Sequence, residues 1–108
     1  METKSVIAAL AALAQESRLK TFRLLVQAGP QGLAASKIAE QLDIAPSSLS
    51  FHLEELTNAG LIEPRQDGRF IIYSANFDTM NGVLSFLTDN CCGGQSCVPS
   101  TNITCCNP

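Results

Sequence analysis

Residues 36–60 read S-K-I-A-E-Q-L-D-I-A-P-S-S-L-S-F-H-L-E-E-L-T-N-A-G. Apolar residues recur every three or four positions in each half of this segment, a period that predicts two short amphipathic helices. Ser36 is placed to cap the first helix, and Pro46 suits the first turn of the second, where a missing N–H costs nothing. Gly60 is the residue type that ends helices in a left-handed conformation, and residues 43–45 form the corner. The apolar positions are Ile38, Ala39 and Leu42 in the first helix and Leu49, Leu53 and Leu56 in the second.

The two predicted helices have the proportions of a helix-turn-helix, whose second helix lies in the DNA major groove with its N-terminal residues on base edges. The alternative is a helical hairpin in another small α-domain. The second helix carries short hydroxyl side chains at its N-terminal end, whereas a purely solvated face would more usually carry long charged ones. The pattern therefore favours DNA recognition, with His52 as a groove-edge or helix-packing side chain. The outer face consists of Ser47, Ser48, Ser50, Phe51, Glu54 and Glu55.

Residues 61–74 contain two β-prone runs around Asp67-Gly68, a strong signal for a β-hairpin. A basic hairpin after a recognition helix is the wing of a winged helix, and Arg65 and Arg69 flank this turn. We expect the two arginines to contact the phosphate backbone or the minor groove, with Lys37 beside the same surface. The alternative is an ordinary hairpin with two solvated arginines, but its position directly after the two helices favours a wing.

Helical patterns flank the motif on both sides. Residues 1–15 predict a first helix, residues 16–28 a second and residues 76–88 a last one, which makes the order α-α-α-α-β-β-α. The predicted fold class is a mainly α winged helix-turn-helix with a small β-hairpin. The end helices are richer in apolar residues than a chain this small can bury, and pairing with a second copy would remove the excess. A two-fold dimer would also place two recognition helices on half-sites about 34 to 36 Å apart. We therefore expect a homodimer, with a thick-cored monomer as the alternative.

The first fifteen residues have a second interpretation. Lys4 followed by an apolar run imitates a secretory signal peptide. Against this, Glu2 cancels the charge of Lys4, the run is mostly alanine, and Val6, Leu10 and Leu13 align on one helix face. We predict a retained first helix.

The composition limits the class of protein. The chain of 108 residues is 45% hydrophobic and 16% charged, as expected for one soluble globular domain. Its formal net charge of −3 lowers non-specific affinity for DNA without excluding specific binding, because Lys37, Arg65 and Arg69 lie in or beside the predicted DNA surface. No run approaches the roughly 20 apolar residues of a membrane span, so we expect a cytoplasmic protein with no membrane partner. No nucleophile-base pair, paired carboxylates or phosphate loop indicates an enzyme.

The composition changes at Asn90. Residues 90–108 lack periodicity and hold all five cysteines, so we divide the chain into a DNA-binding and dimerisation domain of residues 1–89 and a cysteine-rich tail of residues 90–108. Clustered cysteines in an intracellular chain indicate metal binding or redox sensing rather than structural disulfides.

Cys91, Cys92 and Cys97 are the first candidates for a ligand site in this tail. In a continuing helix Cys97 would lie about 9 Å along the axis from Cys91, too far for one ion. Gly93-Gly94 lets the chain turn back, so that three sulfurs can converge. Three thiolates without a nearby histidine or carboxylate select soft species, and trivalent arsenic or antimony suits a three-sulfur pyramid. Another soft metal and a thiol switch remain the alternatives, and zinc would need a fourth ligand from the terminal cysteine pair.

Four segments resemble the ArsR family of metalloregulatory repressors. They are A-A-L-A-Q-E-S-R-L at 11–19, S-S-L-S-F-H-L at 47–53, the D-G-R of the hairpin at 67–69, and F-L-T-D-N-C-C at 86–92. The resemblance covers about residues 5–97, and the N-C-C-G-G ending resembles arsenic-responsive members. It implies a homodimeric winged-helix repressor without a prosthetic group, which leaves double-stranded operator DNA when arsenite, antimonite or methylarsenite binds.

The chain also departs from the family pattern. Members that bind arsenite on the first helix of the helix-turn-helix carry C-x-C there, and members that bind zinc between the last helices use aspartate and histidine. This chain has no cysteine in residues 38–43 and no histidine in its last helix, so the resemblance implies an inducer site in the tail. Similar tails have one more residue before the third cysteine, which makes Cys105 or Cys106 the possible substitute for Cys97. The competing functions are a thiol redox-responsive repressor, a repressor responsive to cadmium, lead or zinc, and a metal-sequestering protein.

Overall fold

The computed structural model describes residues 1–89, and it confirms the predicted winged helix-turn-helix. The predicted tail of residues 90–108 lies outside the described residues. The five helices and two hairpin strands follow in the predicted order, with one additional short strand before the third helix. The elements are α1 Thr3–Leu13, α2 Glu16–Ala28, β1 Leu33–Ala34, α3 Ala35–Leu42, α4 Pro46–Asn58, β2 Ile62–Asp67, β3 Phe70–Ala75 and α5 Phe77–Leu87.

The predicted hairpin is confirmed, but its turn lies one residue later than the Asp67-Gly68 pair, so Arg69 belongs to the turn rather than flanking it. β2 and β3 pair along their whole length and end at Asp67 opposite Phe70, so the turn consists of Gly68 and Arg69. Gly68 has a φ of 64°, a conformation that glycine adopts without the steric cost met by other residues at the first position of a two-residue turn. The turn therefore places Arg69 at the tip of the wing.

The short strand β1 was not predicted from the sequence. It pairs antiparallel with β3, placing Ala34 opposite Ile72, and makes the sheet order β1-β3-β2. Two residues are too few for an alternating pattern to be visible. β1 also corrects the predicted helix cap: the N-cap of α3 is Ala34, which is extended and makes no side-chain bond, so the capping role assigned to Ser36 was wrong. Pairing keeps the chain extended through Ala34, and α3 begins directly after it.

The helix-turn-helix has its predicted three-residue corner at residues 43–45. Asp43 adopts a left-handed φ of 54° at the end of α3, and the amide of Ile44 donates to the carbonyl of Ala39 at 3.1 Å. These two features reverse the chain within one short segment. Gly60 follows α4 with the expected left-handed conformation, at a φ of 77°.

The core confirms the helix faces predicted for the helix-turn-helix. The leucines of α4 at positions 49, 53 and 56 are at most 2% exposed, and Ile38 of α3 is fully buried. Burial of each such side chain contributes about 1.5–3 kcal/mol, which orients α4 strongly. The buried apolar residues are Val6, Ala9, Ala12, Phe22, Leu25, Ile38, Leu49, Leu53, Leu56, Leu61, Ile62, Ala75 and Val83.

α1 packs on the core through part of the predicted apolar face, extended by two alanines. Val6, Ala9 and Ala12 are buried, whereas Leu10 is 40% exposed. Leu13 is partly buried and packs against the same core, and the small alanine side chains let α1 lie close to α2 and α4, which it contacts. Of the three residues predicted to align on one face of α1, Val6 and Leu13 pack on the core and Leu10 does not.

α5 closes the domain and packs against α1. The side chain of Asn76 caps it by accepting the amide of Thr79 at 3.2 Å. Val83 is the one residue of α5 that is buried. Within residues 1–89, no helix is both long and apolar enough to span a bilayer. The large apolar side chains left exposed on the two end helices are Ile7, Leu10, Leu84, Phe86 and Leu87.

Candidate nucleic-acid interface

The N-terminal half of α4 presents the serines predicted to read DNA. Ser47, Ser48 and Ser50 are all exposed, opposite the buried leucines. Pro46 occupies the first turn, that turn contains no acidic residue, and the N-cap Ala45 makes no side-chain hydrogen bond. The first amides of a helix lack intrahelical partners and carry partial positive charge. The free amides at this end of α4 can therefore donate hydrogen bonds to a phosphate oxygen or to an acceptor on a base edge.

Phe51 and His52 differ in exposure although they are neighbours. Phe51 is 55% exposed, which confirms that it faces outward from α4. His52 is half-buried, and the two rings meet edge to face with centroids 5.9 Å apart. The Nδ1 atom of His52 is buried and has no hydrogen-bond partner in the described part of the chain. Phe51 is thus accessible to a nucleic acid, whereas the side chain of His52 lies partly buried against its surroundings on α4.

An open groove of about 380 Å³ lies between the wing and the helix-turn-helix. Ser36 of α3, Ser50 of α4 and Arg69 of the wing all line it, together with Ile71 and Tyr73 of β3. The fold thus joins residues that lie in separate sequence motifs. Ser36 was not predicted to belong to this surface, because its hydroxyl was assigned to the helix cap and no local pattern pointed to the groove.

The two wing arginines have different surroundings. Arg69 makes no side-chain hydrogen bond or ion pair with any other described residue. Arg65 donates from Nη2 to the carbonyl oxygen of Gln31 at 2.8 Å and from Nη1 to that of Pro30 at 3.4 Å. The sequence could not indicate these bonds, since the acceptors lie 34 and 35 residues earlier in the chain.

The remaining charges leave the groove without a strong ion pair. Lys37 on α3 has its Nζ atom 3.9 Å from Glu40 Oε1, and both side chains are largely exposed. Exposed pairs of this kind contribute little, so Lys37 can exchange its partner for a phosphate. The Lys20 ammonium lowers the pKa of Glu16 by a hydrogen bond and by its charge, but this pair lies on α2, outside the groove.

The predicted inducer ligands fall outside the described residues. This holds for all of Cys91, Cys92, Cys97, Cys105 and Cys106. Among residues 1–89, no group of three or more histidine, cysteine, aspartate and glutamate side chains is arranged to hold a metal ion.

Comparisons with known proteins identify the family. Residues 13–65 match the family described as a helix-turn-helix domain. A Halobacterium salinarum protein provisionally named an arsenical resistance operon repressor is 38% identical over 76 residues, which are 70% of this chain and 56% of that protein. The chain therefore spans little more than half the length of this relative. The arsenical resistance operon repressor of Bacillus subtilis is 33% identical over 81 residues, which are 75% of this chain and 73% of that protein.

A solved structure agrees with these relatives. The ArsR-like transcriptional regulator from Rhodococcus sp. RHA1 is 28% identical and superimposes with a TM-score of 0.70 over 78% of this chain and 76% of its own. The similarity to the Bacillus repressor covers most of both proteins, and the Rhodococcus regulator shares the fold. The chain therefore belongs to the ArsR family of winged helix-turn-helix transcriptional regulators.

Proposed function

We propose that this protein represses an arsenic-resistance operon by binding operator DNA as a homodimer, and that trivalent arsenic bound to its cysteines releases it. The observation that carries the DNA-binding part is the groove in which Ser50 of the recognition helix and Arg69 of the wing meet. Serine hydroxyls can read base edges, while an arginine at the wing tip neutralises a phosphate or enters the minor groove. α4 would lie in the major groove with its N-terminus on the bases.

The proposed dimer uses the two end helices. Ile7 and Leu10 of α1 and Leu84 and Leu87 of α5 are 40–60% exposed, and the two helices are in contact. Adjacent large apolar side chains in contact with water favour association with a matching surface. A two-fold axis through this surface would present two copies of α4 to half-sites about one helical turn apart.

The proposed inducer site is the cysteine-rich tail, which directly follows the domain. Five cysteines lie within residues 91–106, and two relatives carry names that refer to arsenical resistance. Thiolates of Cys91, Cys92 and Cys97 would bind arsenite, antimonite or methylarsenite in the reducing cytoplasm, where thiols stay available. A ligand shifts an equilibrium only through its differential affinity for two states, so arsenic must bind the DNA-free form more tightly.

A thiol redox switch is the second candidate, because the same five cysteines include two adjacent pairs. Both candidates release DNA when sulfur chemistry changes, and they differ in the chemical that triggers release. Arsenic acts on reduced thiols, whereas a redox switch requires their oxidation.

The test begins with DNA that the protein itself selects from a random-sequence library. Fluorescence anisotropy of this DNA is then measured while arsenite, methylarsenite, antimonite, cadmium, zinc or peroxide is added. We expect arsenite to release the DNA under strong reductant, and a variant with serine at positions 91, 92 and 97 to bind DNA but ignore arsenite. Release by peroxide alone would establish the redox switch instead. Failure to select any sequence would refute the DNA-binding proposal.

A further inference from the structure

Arg65 lies in the middle of β2 rather than at the tip of the wing. Arg65 pairs with Ile72 of the central strand β3. Ile72 also pairs with Ala34 of β1, the strand on the other edge of the sheet. Residues that face one another across antiparallel strands have their side chains on the same face of the sheet. The Arg65 side chain extends across this face to the loop before β1, where it donates to the carbonyls of Pro30 and Gln31.

The groove beside the recognition helix does not include Arg65. Its lining includes Ala34 of β1, Ser36 of α3, Ser50 of α4, Arg69 in the turn, and Ile71 and Tyr73 of β3. The Arg65 guanidinium is instead hydrogen-bonded to the loop before β1. Of the two wing arginines, Arg69 alone therefore lines the groove.

The loop that accepts the Arg65 hydrogen bonds is closely packed on the sheet. Gly32 in this loop has a φ of 68°, and a Cβ atom there would lie 2.3 Å from the carbonyl oxygen of Tyr73. One residue later the chain enters β1, which leads without a break into α3. A bond from β2 to this loop therefore connects the far strand of the wing to the segment that begins the helix-turn-helix.

We infer that Arg65 is a positioning residue, which holds the wing against the α2–β1 loop, and that phosphate contact at the wing belongs to Arg69. This inference rests on the proposed DNA binding. A guanidinium engaged by two carbonyl oxygens has fewer donors left for a phosphate, and its release would leave the wing less firmly placed relative to α4. The two wing arginines, which look equivalent in the sequence, thus have separate tasks.

Salt-dependent DNA binding separates the two tasks. Each phosphate contact adds about 0.9 to the slope of log affinity against log salt, so Arg69→Ala should reduce the slope by about that amount. Arg65→Ala should leave the slope unchanged and weaken specific binding about fivefold, the factor that corresponds to one hydrogen bond of about 1 kcal/mol. Arg65→Lys keeps the charge but loses the planar fork, so it should behave like Arg65→Ala rather than like the wild type.

Hydrogen exchange of the DNA-free protein gives a second readout that does not depend on DNA. Arg65→Ala and Arg65→Lys should exchange faster than the wild type at residues 29–34 and 62–67, while Arg69→Ala should not. If Arg65→Ala flattens the salt slope as much as Arg69→Ala, or if Arg65→Lys restores wild-type affinity, the inference is refuted. If the wild type selects no DNA sequence, the proposed function is refuted. Unchanged hydrogen exchange in the Arg65 variants would independently refute the inference that Arg65 holds the wing against the α2–β1 loop.

Discussion

Replacing Gly32 with alanine should destabilise the domain far more than replacing Gly68 with alanine. Both glycines have left-handed φ angles, 68° and 64°, so both variants introduce a similar backbone strain. For a residue with a Cβ atom, that strain is about 1–2 kcal/mol. The surroundings differ: a Cβ at Gly68 would meet nothing within 4 Å, whereas one at Gly32 would lie 2.3 Å from the Tyr73 carbonyl oxygen. Gly68→Ala is therefore a matched control for conformation alone.

The contact at Gly32 cannot be relieved by a side-chain rotation. The Tyr73 oxygen belongs to the backbone of β3, the central strand, which is paired with both β1 and β2. The loop or the strand must move instead, and overpacking of this kind costs about 1–3 kcal/mol. Adding the backbone strain, we expect a loss of about 2–5 kcal/mol for Gly32→Ala and of about 1–2 kcal/mol for Gly68→Ala.

Urea unfolding followed by circular dichroism would measure this difference. All variants need the same protein concentration and full reduction, because the free energy of unfolding of a dimer depends on concentration. In thermal unfolding, each 1 kcal/mol should lower Tm by about 4–8 °C for a domain of this size. Equal losses in the two variants would show that the loop before β1 does not approach β3 as closely as described.

Three further predictions concern the proposed function. Ser50→Ala should weaken binding to selected DNA by about 0.5–1.5 kcal/mol, the contribution of one hydrogen bond, and binding to random DNA hardly at all, as measured by anisotropy; equal losses on both would argue against base reading. Leu84→Asp should convert the dimer to a folded monomer in sedimentation experiments, since Leu84 is 54% exposed and its change costs a single subunit little; a dimer that persists would place the interface elsewhere. Cys97→Ser should retain DNA affinity but no longer release DNA when arsenite is added, whereas the variant with serine at both Cys105 and Cys106 should still release it. The reverse result would assign the third ligand to the terminal cysteine pair.

Short-range patterns were sufficient for the helix-turn-helix and the hairpin. The leucines of α4 recur at helical spacing, and Pro46 and Gly60 mark its two ends, so its length and buried face follow from 15 residues of sequence. The Asp67-Gly68 pair likewise marked the hairpin. In each case the decisive interactions join residues a few positions apart, and local conformational preference already indicates the outcome.

Long-range contacts decided the features that the sequence did not show. β1 forms because Leu33 and Ala34 pair with β3, and α3 begins directly after this pairing, at Ala35 rather than after the predicted cap Ser36. The buried face of α1 depends on how closely its alanines approach α2 and α4, which the periodicity of α1 alone does not contain. The bonds of Arg65 end on carbonyls 34 and 35 residues away. The spacing of apolar residues indicates which side of an element can be buried. Which surfaces pack together depends on the shapes of elements that are distant in the chain, and these come into contact only in the folded structure.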